Sequence, residues 1–224
     1  MSIAENIARV RERIEAAARR AGRRSEDTAL MAVSKTFPAE RIREVYDAGL
    51  RLFGENRVQE FTGKRDSLRD LADIEWHLIG HLQTNKAKTA AGAFALIHSV
   101  DSIRLAEALA RAQPSPRVRA LIEVNLGAES SKTGVAPDRV AAILDAATEK
   151  IEIDGLMTIP PPARCAEAAR PWFARLREMR DLLATQSSYA LSELSMGMTD
   201  DFEVAIEEGA TIVRIGRAVF GERA

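Results

Sequence analysis

Short apolar segments alternate with longer amphipathic segments along almost the whole chain, and this alternation is the strongest constraint on its fold. Eight of the apolar segments have the length and the β-branched content of buried strands. They are TALMAVS (28–34), LRLFGE (50–55), IEWHLIG (74–80), FALIHSV (94–100), VRALIEVNL (118–126), IEIDGLMT (151–158), ALSELSM (190–196) and TIVRIG (211–216). The segments between them have helical spacing. Eight strand–helix units therefore predict an α/β fold of the (β/α)8 TIM-barrel type.

The residues before the first strand predict an extra N-terminal helix. Apolar side chains recur there every three or four residues, at Ile3, Ile7, Val10 and Ile14. A doubly wound open sheet is the main alternative, but its G-x-G-x-x-G loop is missing after the first strand, where SKTFPAE stands. Because no linker or low-complexity tract interrupts the pattern, we predict a single domain over residues 1–224.

The composition of the chain restricts the cellular compartment and the classes of binding partner that we expect. The chain of 224 residues has a net charge of −1, which indicates neither nucleic acid nor an anionic membrane as a partner. Its one cysteine, Cys165, excludes an internal disulfide and suits a reducing compartment. The first residues carry interleaved charges without a signal-peptide core, and no uncharged apolar run is long enough to span a membrane. We therefore expect a cytoplasmic protein.

Polar residues follow the first two predicted strands, at the barrel end where TIM barrels bind their ligands. Lys35 follows the first strand and Asn56 the second. Only six of the 32 Lys and Arg residues are lysines, so this chain mostly uses Arg for a plain positive charge. Lysine differs because it can lose its proton and act as a nucleophile. Two interpretations of Lys35 stand at this point, a reactive amine or a packed stem with a solvated ammonium group.

The predicted ends of the seventh and eighth strands, SMGM and RIGR, suggest a phosphate site. They offer small residues, backbone amides and a hydroxyl, with which barrels often hold phosphate. The candidates are Ser195, Met196, Gly216 and Arg217. A helix predicted to begin with Asp200 as its N-cap could also direct its amino end toward an anion, and Asp101 is a similar N-cap candidate.

Arg214 lies on the eighth strand, which neighbours the first strand in a closed barrel. A lysine and a phosphate site without a metal cluster outline a pocket for pyridoxal 5'-phosphate. Arg214 would approach the far side of a cofactor held on Lys35, and an arginine at the pyridine nitrogen would make the ring a weak electron sink. The alternative is that Arg214 pairs with an acid such as Glu207.

Two further motifs carry less weight. His77 and His81 in HLIGH are four residues apart, but the glutamate of the zinc motif H-E-x-x-H is missing, so we predict no metal site. SSKTG (130–134) lacks the remaining features of a phosphate-binding loop, and a surface loop is favoured. PSP (114–116) and PPP (160–162) are interpreted as loops.

Many ordered blocks make the chain similar to a known family. They are AVSKTFP, FGENRVQE, EWHLIGHLQTNK, SVDS, EVNLGAESSKTG, GLMTIPPP, LSMGMTDDFEVAIEEGA and VRIGRAVFG. With these blocks the chain resembles the YggS-like (PROSC-type) pyridoxal-phosphate homeostasis proteins from the first helix to FGER at the end. The resemblance implies a fold-type III barrel similar to the N-terminal domain of alanine racemase.

The resemblance also implies roles for individual residues. Lys35 would carry the Schiff base, and Arg214 would face the pyridine nitrogen. Asn56 would lie beside the cofactor ring. The phosphate would be held by Ser195, Gly216 and Arg217 with the backbone after Met196. Arg217 departs from the Thr or Ser that the family often has there, and Thr199 keeps a hydroxyl in MTDD.

Two functions compete on this basis. The first is a non-catalytic protein that binds pyridoxal phosphate on Lys35, serves its homeostasis and delivers it to apo-enzymes, and we expect it to be a monomer. The second is a racemase-type enzyme, which needs acid–base groups on both faces of the substrate α-carbon. Both tyrosines, Tyr46 and Tyr189, are expected away from the rim, which favours the first function. In a third class, a protein-interaction module, Lys35 would be unreactive.

Overall fold

Eight parallel strands close into a barrel in chain order, with the last strand hydrogen-bonded to the first. The computed structural model describes residues 2–112, 117–129, 133–147 and 150–221. The strands are β1 (Ala29–Val33), β2 (Leu52–Glu55), β3 (Glu75–Leu78), β4 (Leu96–Val100), β5 (Val118–Glu123), β6 (Ile151–Met157), β7 (Glu193–Ser195) and β8 (Ile212–Ile215). The eight predicted strands and the barrel are thereby confirmed.

Helices follow the strands and surround the barrel. The α-helices are α1 (Ile3–Arg20), α2 (Ala39–Asp47), α3 (Val58–Ser67), α4 (Ala87–Ala91), α5 (Ile103–Ala112), α6 (Val140–Ala146), α7 (Arg170–Gln186), α8 (Phe202–Glu207) and α9 (Arg217–Phe220). Short 3₁₀ helices span Ser25–Asp27, Thr84–Lys86, Pro137–Arg139 and Ala166–Ala169. Pro171 lies in the first turn of α7, directly after the last of these, where a missing backbone N–H removes no helical hydrogen bond.

The predicted extra helix is α1, which precedes the barrel and packs on it from outside. Its capping box joins the Ser2 and Glu5 side chains to each other's backbone amides. The predicted apolar stripe is buried against α8 and α9. Asn6 adds a buried bond, from Nδ2 to the Val219 carbonyl at 3.1 Å. The helix therefore fastens the elements that follow β7 and β8, on the side of the barrel where the candidate site lies.

Both N-cap predictions are wrong. For α8, Asp201 takes the cap position, and its carboxylate accepts from the Met198 amide at 2.7 Å. Asp200 pairs instead with Arg217. At the start of α5 the Ser102 hydroxyl accepts from the Leu105 amide at 3.3 Å. Adjacent acceptors competed for these positions, and tertiary contacts selected between them. Gly49 and Gly209, which follow α2 and α8, have positive φ angles, the conformation that favours glycine at a helix end.

The barrel interior contains an apolar layer and a polar one. Five buried apolar side chains pack against one another inside the strands: Met31, Leu96, Leu121, Met157 and Ile212. The larger apolar core lies between the strands and the helices. Buried histidine, serine and arginine side chains share the interior with the apolar layer. One of these polar side chains, Arg214, lines the cavity described next. None of the helices in the described ranges is long and apolar enough to cross a membrane.

Candidate functional site

A cavity of about 500 Å³ opens at the carboxyl ends of the strands. Five of the seven predicted site residues line it: Lys35, Asn56, Arg214, Gly216 and Arg217. The remaining lining residues are Val33, Phe37, Ile79, Ile159, Met198, Thr199 and Asp200. The cavity is therefore a pocket with apolar walls, an amine on one side and a guanidinium on the neighbouring strand.

A strained turn presents Lys35 to this cavity. Lys35 is half-buried two residues beyond β1, and the next residue, Thr36, has a φ of 68°. A β-branched residue in this left-handed region costs about 1–3 kcal/mol and persists only when its surroundings hold it. Here the Thr36 amide donates to Glu60 Oε1 at 2.5 Å, and Lys64 Nζ donates to the Ser34 carbonyl at 2.9 Å. The turn is thus fastened on both sides of Lys35.

Lys64 connects the turn to a buried carboxylate. Its ammonium lies 2.8 Å from Glu55 Oε1 and 2.7 Å from Glu60 Oε1. The Ser34 hydroxyl donates to the same Glu55 oxygen at 2.6 Å. Burial raises the pKa of Glu55, while the bonds from Lys64 and Ser34 oppose that shift. Sequence reasoning missed Lys64, although its position four residues after Glu60 is the spacing of a helical ion pair.

Asn56 brings an unused acceptor to the cavity wall. Its side-chain oxygen, Oδ1, is buried and has no hydrogen-bond partner among the described residues. Such an atom is costly to leave unpaired, so its position suggests a ligand donor. The backbone of Asn56 is held by a close approach to Gly80, where an added Cβ would lie 2.2 Å from the Asn56 carbonyl oxygen. Only glycine fits at position 80 while Asn56 stays in place.

Arg214 is buried, with 4% of its surface exposed, and its guanidinium is fixed by two hydrogen bonds. Nη1 donates to Ser195 Oγ at 2.7 Å, and Nη2 donates to the Thr158 carbonyl at 3.0 Å. Burial lowers the pKa of Arg214 to about 10, opposed by Asp201 and Glu123, so the group stays protonated at neutral pH. The alternative pairing of Arg214 with Glu207 is wrong.

Glu207 is used elsewhere, on the outside of the barrel. Its carboxylate pairs with Arg20 and with Arg170, each at 2.6 Å.

Ser195 and Met196 occupy different positions from the other predicted residues. Both are completely buried, and neither is part of the cavity lining. The Ser195 hydroxyl is engaged by Arg214 at 2.7 Å and by His98 Nδ1 at 2.8 Å. It therefore lies under the guanidinium, and this arrangement does not favour the phosphate contact predicted for it. Met198 and Thr199, a few residues further on, line the cavity instead.

Gly197 allows the backbone to turn between Met196, which is buried, and Met198, which lines the cavity. Its φ is +90°, and a Cβ there would lie 2.5 Å from the Ala205 Cβ.

An ion pair lies on the rim at the predicted phosphate end. Arg217 Nη2 and Asp200 Oδ2 are 2.6 Å apart, and their side chains are 59% and 79% exposed. Gly216 precedes Arg217, and a Cβ added there would lie 3.6 Å from the Val33 carbonyl oxygen, which is ordinary contact distance. An anion that binds here therefore meets a cation that already has a carboxylate partner.

The two histidines of HLIGH point to different places. His77 lies inside the barrel, where its Nδ1 contacts His98. His81 lies at the rim and pairs with Asp101 at 3.1 Å. Within the described ranges, no three His, Cys, Asp or Glu side chains form a group that could hold a metal. Most of SSKTG and the PSP loop fall at 130–132 and 113–116, outside the described residues, so those interpretations stay predictions.

Comparison with known proteins adds a family to this geometry. Residues 6–224 match the family model described as alanine racemase, N-terminal domain. A pyridoxal phosphate homeostasis protein of Aquifex aeolicus is 51% identical over 100% of this chain and 99% of its own length. The chain belongs to the pyridoxal phosphate homeostasis protein family. The resemblance stated from the sequence blocks is thereby confirmed.

Solved structures agree with this family membership. PipY of Synechococcus elongatus, solved with PLP (pyridoxal phosphate) bound, is 40% identical and matches with a TM-score of 0.87. The match covers 98% of this chain and 100% of PipY. Alanine racemase of Corynebacterium glutamicum matches with a TM-score of 0.69 at 19% identity, over 94% of this chain and 59% of the racemase. This last likeness shows the fold alone, and it confirms the predicted similarity to fold-type III barrels.

Proposed function

We propose that this member of the family binds pyridoxal phosphate in the cavity and serves its homeostasis as a carrier. The observation that carries the proposal is that Lys35, beyond β1, and Arg214, on the adjoining β8, line the same cavity. An amine and a fixed cation on neighbouring strands can contact two sides of one small aromatic aldehyde. Family membership supports the choice, because relatives are named for this cofactor and PipY was solved with it.

The residues of the cavity suit pyridoxal phosphate in three respects. The volume of about 500 Å³ falls within the range of about 300–1,000 Å³ typical of small-molecule sites. Asn56 Oδ1, which has no hydrogen-bond partner within the described ranges, can accept a hydrogen bond. Arg217 can pair with a phosphate through its guanidinium, and Gly216 lines the wall beside it. When bound, pyridoxal phosphate supplies an aldehyde that condenses reversibly with an amine and releases one water.

In this proposal each functional residue at the cavity has one role. Lys35 supplies the amine that bonds to the aldehyde, and the turn held by Glu60 and Lys64 fixes its direction. Arg214 keeps its proton, so a pyridine nitrogen that accepts a hydrogen bond from it would stay unprotonated, and the ring would be a weaker electron sink than one paired with a carboxylate. Arg217 and Thr199 hold the phosphate end at the rim. Release to another amine would proceed by exchange, in which the incoming amine bonds to the aldehyde carbon as the bond to Lys35 breaks and the Lys35 amine is freed.

A carrier agrees better with the positions of the tyrosines than an enzyme does. Racemization requires a second acid–base group on the face opposite the lysine. The hydroxyl of Tyr46 bonds to Asp73 on the outer surface, and that of Tyr189 lies 3.3 Å from the Ala147 carbonyl. Neither residue lines the cavity. We therefore propose a non-catalytic role, with a racemase-type activity as the second candidate because enzymes share this fold.

We further propose that the protein acts as a monomer and hands its cofactor to apo-enzymes that require it. Exposed apolar side chains, Ile159 and Met198, lie at the cavity mouth, so a recipient can approach the cofactor directly. Light scattering checks the first statement, because a monomer has a mass of 24.6 kDa. Mixing the loaded protein with an apo-enzyme in the presence of a trap for free cofactor checks the second, through recovered activity.

Borohydride labelling tests the site. Purified protein is mixed with pyridoxal phosphate, its absorbance is recorded before and after reduction, and the labelled peptide is mapped. We expect a visible band that reduction fixes to Lys35 and that Lys35→Ala abolishes, while Lys88→Ala, at an exposed position, leaves it intact. Label distributed over surface lysines would contradict the proposal. Exchange of amino-acid α-protons in D₂O, measured by NMR at saturating cofactor, would favour the enzyme.

A further inference from the structure

A continuous chain of hydrogen bonds runs through the barrel interior and ends at Arg214. Glu75 Oε1 lies 2.9 Å from His77 Nε2, and His77 Nδ1 lies 2.9 Å from His98 Nε2. His98 Nδ1 lies 2.8 Å from Ser195 Oγ, which is 2.7 Å from Arg214 Nη1. The chain joins strands β3, β4, β7 and β8 and leaves no gap longer than a normal hydrogen bond.

The two ends of this series of hydrogen bonds, Glu75 and Arg214, are in different environments. Glu75 begins β3, and its side chain is 50% exposed at the amino-terminal mouth of the barrel. Arg214 faces the cavity at the opposite mouth. His77, His98 and Ser195 between them are buried, at 3%, 0% and 0% exposure. The interior members therefore depend on one another for their hydrogen bonds.

Donor and acceptor rules give this series of hydrogen bonds a single direction when both ends are ionised and both imidazoles are neutral. A guanidinium only donates, so Ser195 Oγ accepts from Arg214 and its own hydrogen goes to His98 Nδ1. His98 must then carry its hydrogen on Nε2 and donate it to His77 Nδ1. His77 in turn donates from Nε2 to Glu75, whose carboxylate only accepts. Each bond has one donor and one acceptor, and both imidazoles are neutral.

Electrostatics agree with this assignment. Burial lowers the pKa of His98 well below its ordinary value, and the positive charge of Arg214 lowers it further. The hydrogen bond from His77 lowers the pKa of Glu75, which keeps the carboxylate ionised. These shifts favour a neutral His98 imidazole between an ionised Glu75 and a protonated Arg214. Polarised in one direction, the bonds strengthen one another.

We propose that Glu75, His77 and His98 are positioning residues, which orient the Ser195 hydroxyl and so hold the Arg214 guanidinium in one orientation at the cavity. The proposal goes beyond the proposed function, and rests on it only in that bound pyridoxal phosphate is what Arg214 faces. Its consequence is that residues remote from the cavity affect cofactor binding without touching the cofactor.

Imidazole nitrogen NMR of the cofactor-free protein tests the chain directly. The protein has three histidines, so single variants assign all signals. We expect Nε2 to be protonated and Nδ1 unprotonated in both His77 and His98 at neutral pH. His81→Gln serves as the matched control and should leave those signals unchanged. Finding the hydrogen of His98 on Nδ1 would overturn the proposal. This readout needs no cofactor, so it remains decisive if the proposed function fails.

Two substitutions at His98 test whether this side chain acts through its hydrogen bonds or only fills space in the barrel. In His98→Gln, the amide oxygen can accept from Ser195 and the amide nitrogen can donate to His77, which preserves the direction of the chain. His98→Leu fills similar space and breaks both bonds. We expect His98→Gln to retain pyridoxal phosphate affinity and His98→Leu to lose about fivefold, the effect of one ordinary hydrogen bond.

The absorbance maximum of bound pyridoxal phosphate should shift in His98→Leu and remain unchanged in His98→Gln. Equal affinity and equal spectra for the two variants would overturn the proposal. If His98→Leu does not fold, Glu75→Ala replaces it, because Glu75 is half exposed and far from the cavity. Glu75→Ala should then shift the His98 nitrogen signals and weaken binding, and unchanged signals would overturn the proposal.

Discussion

Arg217 and Asp200 face each other across the mouth of the cavity, with 2.6 Å between Nη2 and Oδ2. Both side chains are largely exposed, so the pair contributes at most about 1 kcal/mol to stability. Its position matters more than its strength. Arg217 stands where the proposed phosphate end of the cofactor meets the protein, so Asp200 competes with the phosphate for the same guanidinium.

Asp200→Asn should therefore strengthen pyridoxal phosphate binding. Removing the carboxylate leaves Arg217 to the phosphate, and we expect affinity to rise by up to about fivefold, the equivalent of one exposed ion pair. Fluorescence or absorbance titration measures it. Asp70→Asn, which opens the exposed pair with Arg43, is the control and should have no effect on affinity. Weaker binding by Asp200→Asn would mean that Arg217 needs Asp200 to hold its position.

Lys64→Met should destabilise the protein by about 3–5 kcal/mol at pH 8, because it leaves the buried Glu55 carboxylate without its cation. The raised pKa of Glu55 fixes the sign of the pH dependence. A carboxyl whose pKa is higher in the folded state favours folding when protonated, so the deficit should shrink as pH falls from 8 to 5.5. Urea unfolding at both pH values measures it. Lys88→Met is the control, and an equal deficit at both pH values would contradict the explanation.

Gly80→Ala should reduce both stability and cofactor binding. The added Cβ would lie 2.2 Å from the Asn56 carbonyl oxygen, so the backbone at Asn56 must move. We expect a loss of about 1–3 kcal/mol in the free energy of unfolding, as for other overpacked sites. Gly63→Ala in α3 is a matched control, since nothing lies within 4 Å of its added Cβ. It should stabilise the helix by about 0.5–1 kcal/mol, and thermal unfolding distinguishes the two.

Asn56→Ala should move stability and binding in opposite directions. The substitution removes a buried oxygen without a partner among the described residues, which should raise the free energy of unfolding of the cofactor-free protein by about 1 kcal/mol. It also removes an acceptor from the cavity, so pyridoxal phosphate affinity should fall. Calorimetry with and without cofactor measures both effects. A loss of stability in the cofactor-free protein would show that the oxygen has a structural partner such as water.

The strands and five of the residues that line the cavity could be predicted because both depend on local pattern. A buried parallel strand is a short apolar run whatever its neighbours are, and ligand-binding residues of a barrel follow such runs directly. Lys35, Asn56, Arg214, Gly216 and Arg217 were found this way, and all five line one cavity. The family could also be recognised from the sequence, because each block of similarity is a contiguous stretch of residues.

Roles that depend on competition between partners could not be predicted in this way. Asp200 and Asp201 are both good capping residues, and in the structure Asp201 occupies the N-cap position while Asp200 pairs with Arg217. Ser195 has the same chemistry whether it faces a ligand or a neighbour, and the depth of β7 in the barrel placed it under Arg214. His98 and Ser195 bond across 97 residues of sequence. Closure of the barrel alone brings their strands together, because hydrogen-bond geometry is set in space and leaves no local signal in the chain.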